Sequence, residues 1–134
     1  MPKTRTATVT KTKIAAAASL AVRHFTREGR HPFDEINWVT RHVTVNGPSG
    51  SVERELEFPD FWSESACKIA GSKYFRGRIG TPEWESSAKQ MIGRVASTLR
   101  RWGLESGYFD SEVEADAFAD ELAYILVNQR AAFN

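Results

Sequence analysis

Cysteine is almost missing from this chain: Cys67 is the only one in 134 residues. Its solitude excludes an internal disulfide, a dithiol redox pair and any multi-cysteine metal site, and it fits a reducing cytoplasm. Long apolar runs are missing too. Nothing approaches the roughly 20 residues that cross a bilayer, so no membrane partner is expected. Acids are absent from Met1 to Arg27, where Lys3, Arg5, Lys11, Lys13, Arg23 and Arg27 stand without a counter-charge. Bases are absent from Glu105 to Glu121, a stretch holding seven acids. The two ends offset one another, and the formal net charge is only +1.

The motifs of common chemistries are absent as well. Gly71-Ser72-Lys73 has the wrong order for a phosphate-cradling loop and follows an expected helix rather than a strand. No G-x-S-x-G elbow is present. His24, His31 and His42 fall on separate elements without metal-ligand spacing. Glu53, Glu55 and Glu57 share one strand face, where a solvated surface is the simpler reading than an acid–base pair needing two unlike environments.

What is present describes one globular domain. Apolar residues make up 41% and charged residues 26%, too apolar for a disordered chain. Residues 1–10 read as a flexible basic tail, and 11–134 as a single helical domain. The fold class expected is mainly α: about four helices with one β-hairpin near residues 38–58. Ile14, Ala17, Ala18, Ala21, Val22 and Phe25 recur at helical spacing over about Lys11 to Arg27. That acid-poor, Ala-rich start also has the look of an organelle transit peptide. Val39, Val43 and Val45 alternate with Thr40, His42 and Thr44, and Val52, Leu56 and Phe58 alternate with the three glutamates. Turn formers from Asn46 to Gly50 join the two runs. A second helix is expected from Pro59 or Asp60, ending around Gly71 to Gly77. A third opens at Thr81-Pro82-Glu83 and stops at Gly103. A fourth opens at a capping box, Ser111 to Glu114, and reaches the last residue.

The one concentrated constellation is Lys68, Lys73, Arg76 and Arg78 interleaved with Tyr74 and Phe75. Aromatic rings among cations suit nucleic acid. The same pattern suits a junction whose aromatics anchor in the core while the bases face water, or a surface that docks a protein segment. The four tryptophans likewise fit either a core or an exposed docking patch. Cys67, small and on an expected helix, reads as a buried, inert thiol.

Taken in order, several segments resemble the N-terminal region of class II, adenosylcobalamin-dependent ribonucleotide reductase. They are Pro32-Phe33-Asp34-x-Ile36-x-Trp38, Phe58-Pro59-x-Phe61-Trp62-Ser63, Lys73-Tyr74-Phe75-Arg76-Gly77 and Gly80-Thr81-Pro82-Glu83-x-Glu85. They continue with Gln90-x-Ile92-x-Arg94-Val95-Ala96, Trp102-Gly103, Gly107-Tyr108-Phe109, Phe118-x-x-Glu121-Leu122-x-x-Ile125-Leu126 and Gln129-x-Ala131-x-Phe133-Asn134. Each is weak alone; the ordered set is specific. The resemblance implies a helical domain that precedes a large α/β barrel. It implies adenosylcobalamin as the parent enzyme's cofactor, and catalytic cysteines in the barrel, where a thiyl radical attacks the ribose. No catalytic residue of the family maps onto this chain. Asn134 comes closest, preceding the loop that begins the family's substrate site. The resulting expectation is the N-terminal part of a ribonucleoside-diphosphate reductase, inactive alone and binding no cofactor alone. Its partner is the catalytic barrel, in cis or in trans, with self-association as a further expectation. Nucleic acid is disfavoured; the alternative is a stand-alone binding module using the basic tail and the Lys68–Arg78 cluster.

Overall fold

The computed structural model describes residues 19–133. The tail expected over residues 1–10, residues 11–18 of the helix expected over Lys11 to Arg27, and Asn134 lie outside them. Residues 19–27, the described part of that first helix, are irregular.

The hairpin follows its alternation. Strand β1 (Trp38–Gly47) pairs antiparallel with β2 (Gly50–Pro59), with Val45 opposite Val52 and Val39 opposite Phe58. Gly50, at φ +119, takes a backbone conformation that a side chain would strain. One face carries Val43, Val45, Leu56 and Phe58, all buried. The other carries His42 between Glu53 and Glu55, with nitrogen–oxygen distances of 3.9 and 3.5 Å and all three side chains largely exposed. That is a solvated strand face.

Three α-helices complete the described residues, rather than about four, so "mainly α" describes the domain only loosely. The first, α1 (Glu64–Ile69), runs into a π-helical turn, Ala70–Tyr74. It starts at Ser63 rather than at Pro59 or Asp60, because the Ser63 hydroxyl accepts from the Ala66 N–H, while Asp60 is still tied to Asn37 at the hairpin's end. Its π turn rests on the hairpin, where Gly71 is required: a Cβ there would stand 2.7 Å from Leu56 Cδ1 of β2 and 3.3 Å from Val43 Cγ1 of β1. Phe58 packs its ring on Phe75 (5.6 Å) and Trp62 (5.9 Å), which joins hairpin and helix in one core.

The second, α2 (Ala88–Glu105), begins at a capping box of Ser87 and Gln90, not at Thr81. Thr81 instead closes a turn on the Arg78 carbonyl through both its N–H and its hydroxyl. From there to Ser87 the chain is held by lateral hydrogen bonds. Glu85 N–H donates to the Arg76 carbonyl (2.7 Å), and Glu57 N–H to the Ser86 carbonyl (2.8 Å). These use the groups a helix would need. At its end α2 runs past Gly103 to a Schellman motif, with Gly107 at φ +74 and Tyr108 N–H donating to the Gly103 carbonyl.

The third, α3 (Glu112–Val127), packs antiparallel on α2. Ser111 caps Glu114 N–H as expected, but the Glu114 carboxylate does not complete the box; it accepts from Asp110 N–H (2.9 Å) and from Leu20 and Ala21. The helix stops at Val127, short of the last residue, because Gln129 (φ +55) donates its N–H to the Leu126 carbonyl and Arg130 its N–H to the Ile125 carbonyl, a second Schellman turn.

Residues 20–26 lie along α3 as a strap, held by the acids whose crowding stood out in the sequence. Glu121 accepts from the N–H groups of His24, Phe25 and Thr26 and from the Thr26 hydroxyl, at 2.7–3.1 Å. Arg23 pairs with Asp120 at 2.8 Å, and the Phe25 ring stacks on Tyr124. Burial pushes the Glu121 carboxyl up, yet those four donors outweigh it and hold it below its ordinary value. Asp110 N–H does the same for Glu114 against its own burial, helped by Ala21 and Leu20.

Two predictions follow from this packing. Gly103 and Gly93 both sit inside α2, but a Cβ on Gly103 would overlap the Phe109 ring, whereas one on Gly93 meets nothing within 4 Å. Gly103→Ala should lower stability by about 1–3 kcal/mol. Gly93→Ala should raise it by about 1 kcal/mol, and paired thermal melts showing the same sign would contradict this account. For the strap, a depressed carboxyl pKa means its stabilisation is complete above the ordinary glutamate value, about 4.3, and is lost as pH falls through the lower folded value. The amide resonances of His24, Phe25 and Thr26 should move together, with one midpoint below that value. A midpoint above it, or no change on Glu121→Ala, would remove the clasp.

Candidate functional site

An open groove of about 580 Å³ lies where α1, its π turn, α2 and the chain after α3 converge. Its floor is apolar, built from Ala66, Ala70, Ile92, Val95 and Leu126. Ile69, Tyr74 and Phe133 stand around it 49, 57 and 61% exposed, more apolar surface than a finished face leaves to water. Trp62 fixes one wall, because its Nε1 donates to the Val127 carbonyl at 2.9 Å and holds the end of α3 against α1.

Beside the groove lies a buried carboxylate. Glu85 is 9% exposed. Its Oε1 accepts from Arg76 N–H (2.7 Å) and Arg94 Nη2 (3.0 Å), and its Oε2 from Arg94 Nε (3.2 Å). Arg94 Nη2 also donates to the Tyr74 carbonyl. Arg54 reaches across from β2, its Nη1 donating to the Glu85 carbonyl at 2.9 Å while its guanidinium lies over the Trp84 ring at 3.3 Å. Three separate segments thus meet at one acid.

The constellation found in the sequence divides. Lys73, Tyr74 and Arg76 line the groove; Lys68 and Arg78 are exposed nearby but do not line it. Phe75 is in the core against Phe58, so it has the anchoring place that the pattern offered as one reading, while Tyr74 does not. Among the described residues, no carboxylate lies within ion-pairing distance of Lys68, Lys73, Arg76 or Arg78, whereas Arg23, Arg30, Lys89, Arg94, Arg100 and Arg101 each have one. The tryptophans divide as well: Trp62 and Trp84 are buried, and Trp102 is 54% exposed.

Cys67 is buried away from the groove, and burial raises its thiol pKa above the ordinary value, so it stays a protonated packing residue. The groove lining contains neither a thiol nor an imidazole. Among the described residues no three His, Cys, Asp or Glu side chains are placed to hold a metal ion, and no helix is long and apolar enough to cross a membrane. The arrangement sets an apolar surface beside positive charge. Sequence reasoning missed the Glu85–Arg94 clamp, because Glu85 read as a helix-start acid. The signal available was the resemblance, which contained both residues without giving them a role.

Comparison with known proteins fits this picture. Residues 39–129 match the family model described as class II vitamin B12-dependent ribonucleotide reductase. The chain is 47% identical over 116 residues to the vitamin B12-dependent ribonucleotide reductase of Streptomyces clavuligerus, covering 84% of this chain and 12% of that protein. The enzyme of the same name from Rhodopirellula baltica is 36% identical over 111 residues, covering 80% and 11%. That from Agrobacterium fabrum is 30% identical over 149 aligned positions, covering 84% and 12%. The chain therefore spans about one eighth of the length of these relatives. On the match over residues 39–129, the chain belongs to the N-terminal domain family of the class II vitamin B12-dependent ribonucleotide reductases.

Proposed function

We propose that this chain is the N-terminal structural part of an adenosylcobalamin-dependent ribonucleoside-diphosphate reductase, which makes deoxyribonucleotides for DNA synthesis in the cytoplasm. Its task is to scaffold and dock against the catalytic barrel, in cis or in trans, and it does no chemistry by itself. The observation that carries this reading is the groove: an apolar floor with exposed rings around it and no reactive group in its lining. In the whole enzyme, the cobalamin supplies the radical, and the thiols that use it belong to the barrel. This chain contributes shape: the Trp62 hydrogen bond and the Glu85 clamp keep the groove open and its walls in register. Asn134 would stand at the junction with the substrate loop.

The nucleic-acid alternative has less to work with. Of its two aromatics, Phe75 is committed to the core and only Tyr74 remains free to stack on a base. The cations also border an apolar surface, which favours a protein partner over a phosphate backbone.

Two measurements test the proposal. The chain alone, given adenosylcobalamin, a dithiol and a ribonucleoside diphosphate, should yield no deoxyribonucleotide and no change in the cobalamin spectrum; turnover would sink the scaffold reading. A chimera should then be made of the Streptomyces clavuligerus enzyme with its matching 116 residues exchanged for this chain. It should reduce nucleotides, and a folded chimera that binds cobalamin without turnover would count against the docking role.

A further inference from the structure

The charge around the groove specifies what fills it. Elsewhere among the described residues five cations sit beside a carboxylate, even exposed ones such as Arg101 with Glu105 and Arg30 with Glu35, whereas Arg27, Arg41, Arg54 and Arg130 do not. The groove sets unpaired cations directly against apolar surface. Arg94 is answered by Glu85, but Lys73 and Arg76, on the same wall, have no carboxylate among the described residues, and Lys68 and Arg78 extend the unpaired charge beyond it. Seating a purely apolar segment there would bring low-dielectric surface against two uncompensated cations, at a desolvation cost with no return.

We propose that the groove's occupant is an acid-bearing amphipathic segment of the enzyme's remaining polypeptide. Its apolar side chains cover Ile69, Tyr74 and Phe133, and its carboxylates pair with Lys73 and Arg76. This rests on the docking reading and deepens it by naming the chemistry of the docked segment. A second copy of this chain could offer similar chemistry through Val113, exposed beside the exposed Glu112. Such a contact joins unlike surfaces head to tail and need not close into a defined oligomer. A segment within the same enzyme meets the groove at high effective concentration and therefore outcompetes a second copy.

The test uses the full-length Streptomyces clavuligerus chimera described above. A carbodiimide, which joins an amine directly to a carboxylate in contact with it, should link Lys73 to an Asp or Glu that lies among apolar residues in the rest of the same polypeptide. In the double variant Lys73→Glu and Arg76→Glu that link should vanish. Limited proteolysis at the junction should then speed up by about tenfold, the scale of losing charge-paired contacts at an interface. Arg27→Glu, a charge reversal outside the groove, should leave the proteolysis rate unchanged. Retained secondary structure in the variant shows that the domain still folds; both exchanged side chains are exposed.

Proteolysis unchanged by the double variant overturns the inference while leaving the scaffold reading intact. Links from Lys73 to Glu112 of another molecule assign the groove to self-association and overturn it equally. So does protection of the groove by single-stranded nucleic acid that fades with salt. A chimera that folds without turnover overturns the docking reading and this inference with it.

Discussion

The domain turns on a carboxylate that has been taken out of water. Glu85 sits in a loop, and a loop acid ordinarily faces solvent. Here its side chain takes the Arg76 N–H and the Arg94 guanidinium, its own N–H goes to the Arg76 carbonyl, and its carbonyl takes Arg54. Hairpin, π-turn exit and α2 are therefore fixed to one residue. A buried ion pair gives little net stabilisation over apolar packing, but Glu85 without Arg94 would be a largely desolvated charge, while Arg94 keeps some contact with water. That asymmetry is what makes the arrangement specific. Other registers of the loop would strand Glu85 or Arg94, so the path from Arg76 to Ser87 is chosen by exclusion. It also explains why Trp84, flanked by that path and covered by Arg54, is buried without belonging to a helix.

The opposite solution operates at the other end of α3. There acids on a helix face capture backbone N–H groups of a segment with no regular structure. A strap has unpaired amides, and an irregular backbone against an apolar surface needs acceptors. Glu114 and Glu121 supply them, and Arg23 adds a pair with Asp120. The charge asymmetry of the sequence, bases early and acids late, is in part this contact seen before folding. Of the early bases, Arg23 finds its anion within the domain, in Asp120.

How much of this was legible follows the range of the forces involved. The hairpin was readable to within a residue or so, since period-two alternation and a Gly-Pro-Ser-Gly turn are local. The apolar positions Ala88, Ile92 and Leu126 were readable for the same reason. The start of α3 at Ser111 was readable too, but the starts of α1 and α2 were not. Thr81-Pro82-Glu83 has better local chemistry for a helix start than Ser87, yet lateral hydrogen bonds from Glu57 and Arg76, distant in sequence, claimed the intervening backbone. The end of α3 was misjudged because Gln129 takes a positive φ without being glycine, a choice no local pattern announces. The basic cluster was visible as a cluster. That Phe75 turns inward and Tyr74 outward depends on the π turn, which inserts an extra residue and changes the facing of everything after it.

A domain with no reactive group can still determine how an enzyme is assembled, provided its surface discriminates. Apolar area alone discriminates poorly, since any greasy segment gains from covering it. Two unpaired cations on the wall change the ranking. They add nothing for a segment made of leucine and penalise it, while a segment with carboxylates at the right spacing recovers the penalty and adds charge-assisted hydrogen bonds. The clamp matters here too. If Glu85 were free to swing toward Arg76, the groove would neutralise itself and lose its preference. Because Arg94 and the Arg76 N–H hold that carboxylate, the cation of Arg76 remains available at the rim. The residue that fixes the fold is thus also the one that keeps the groove's charge unspent.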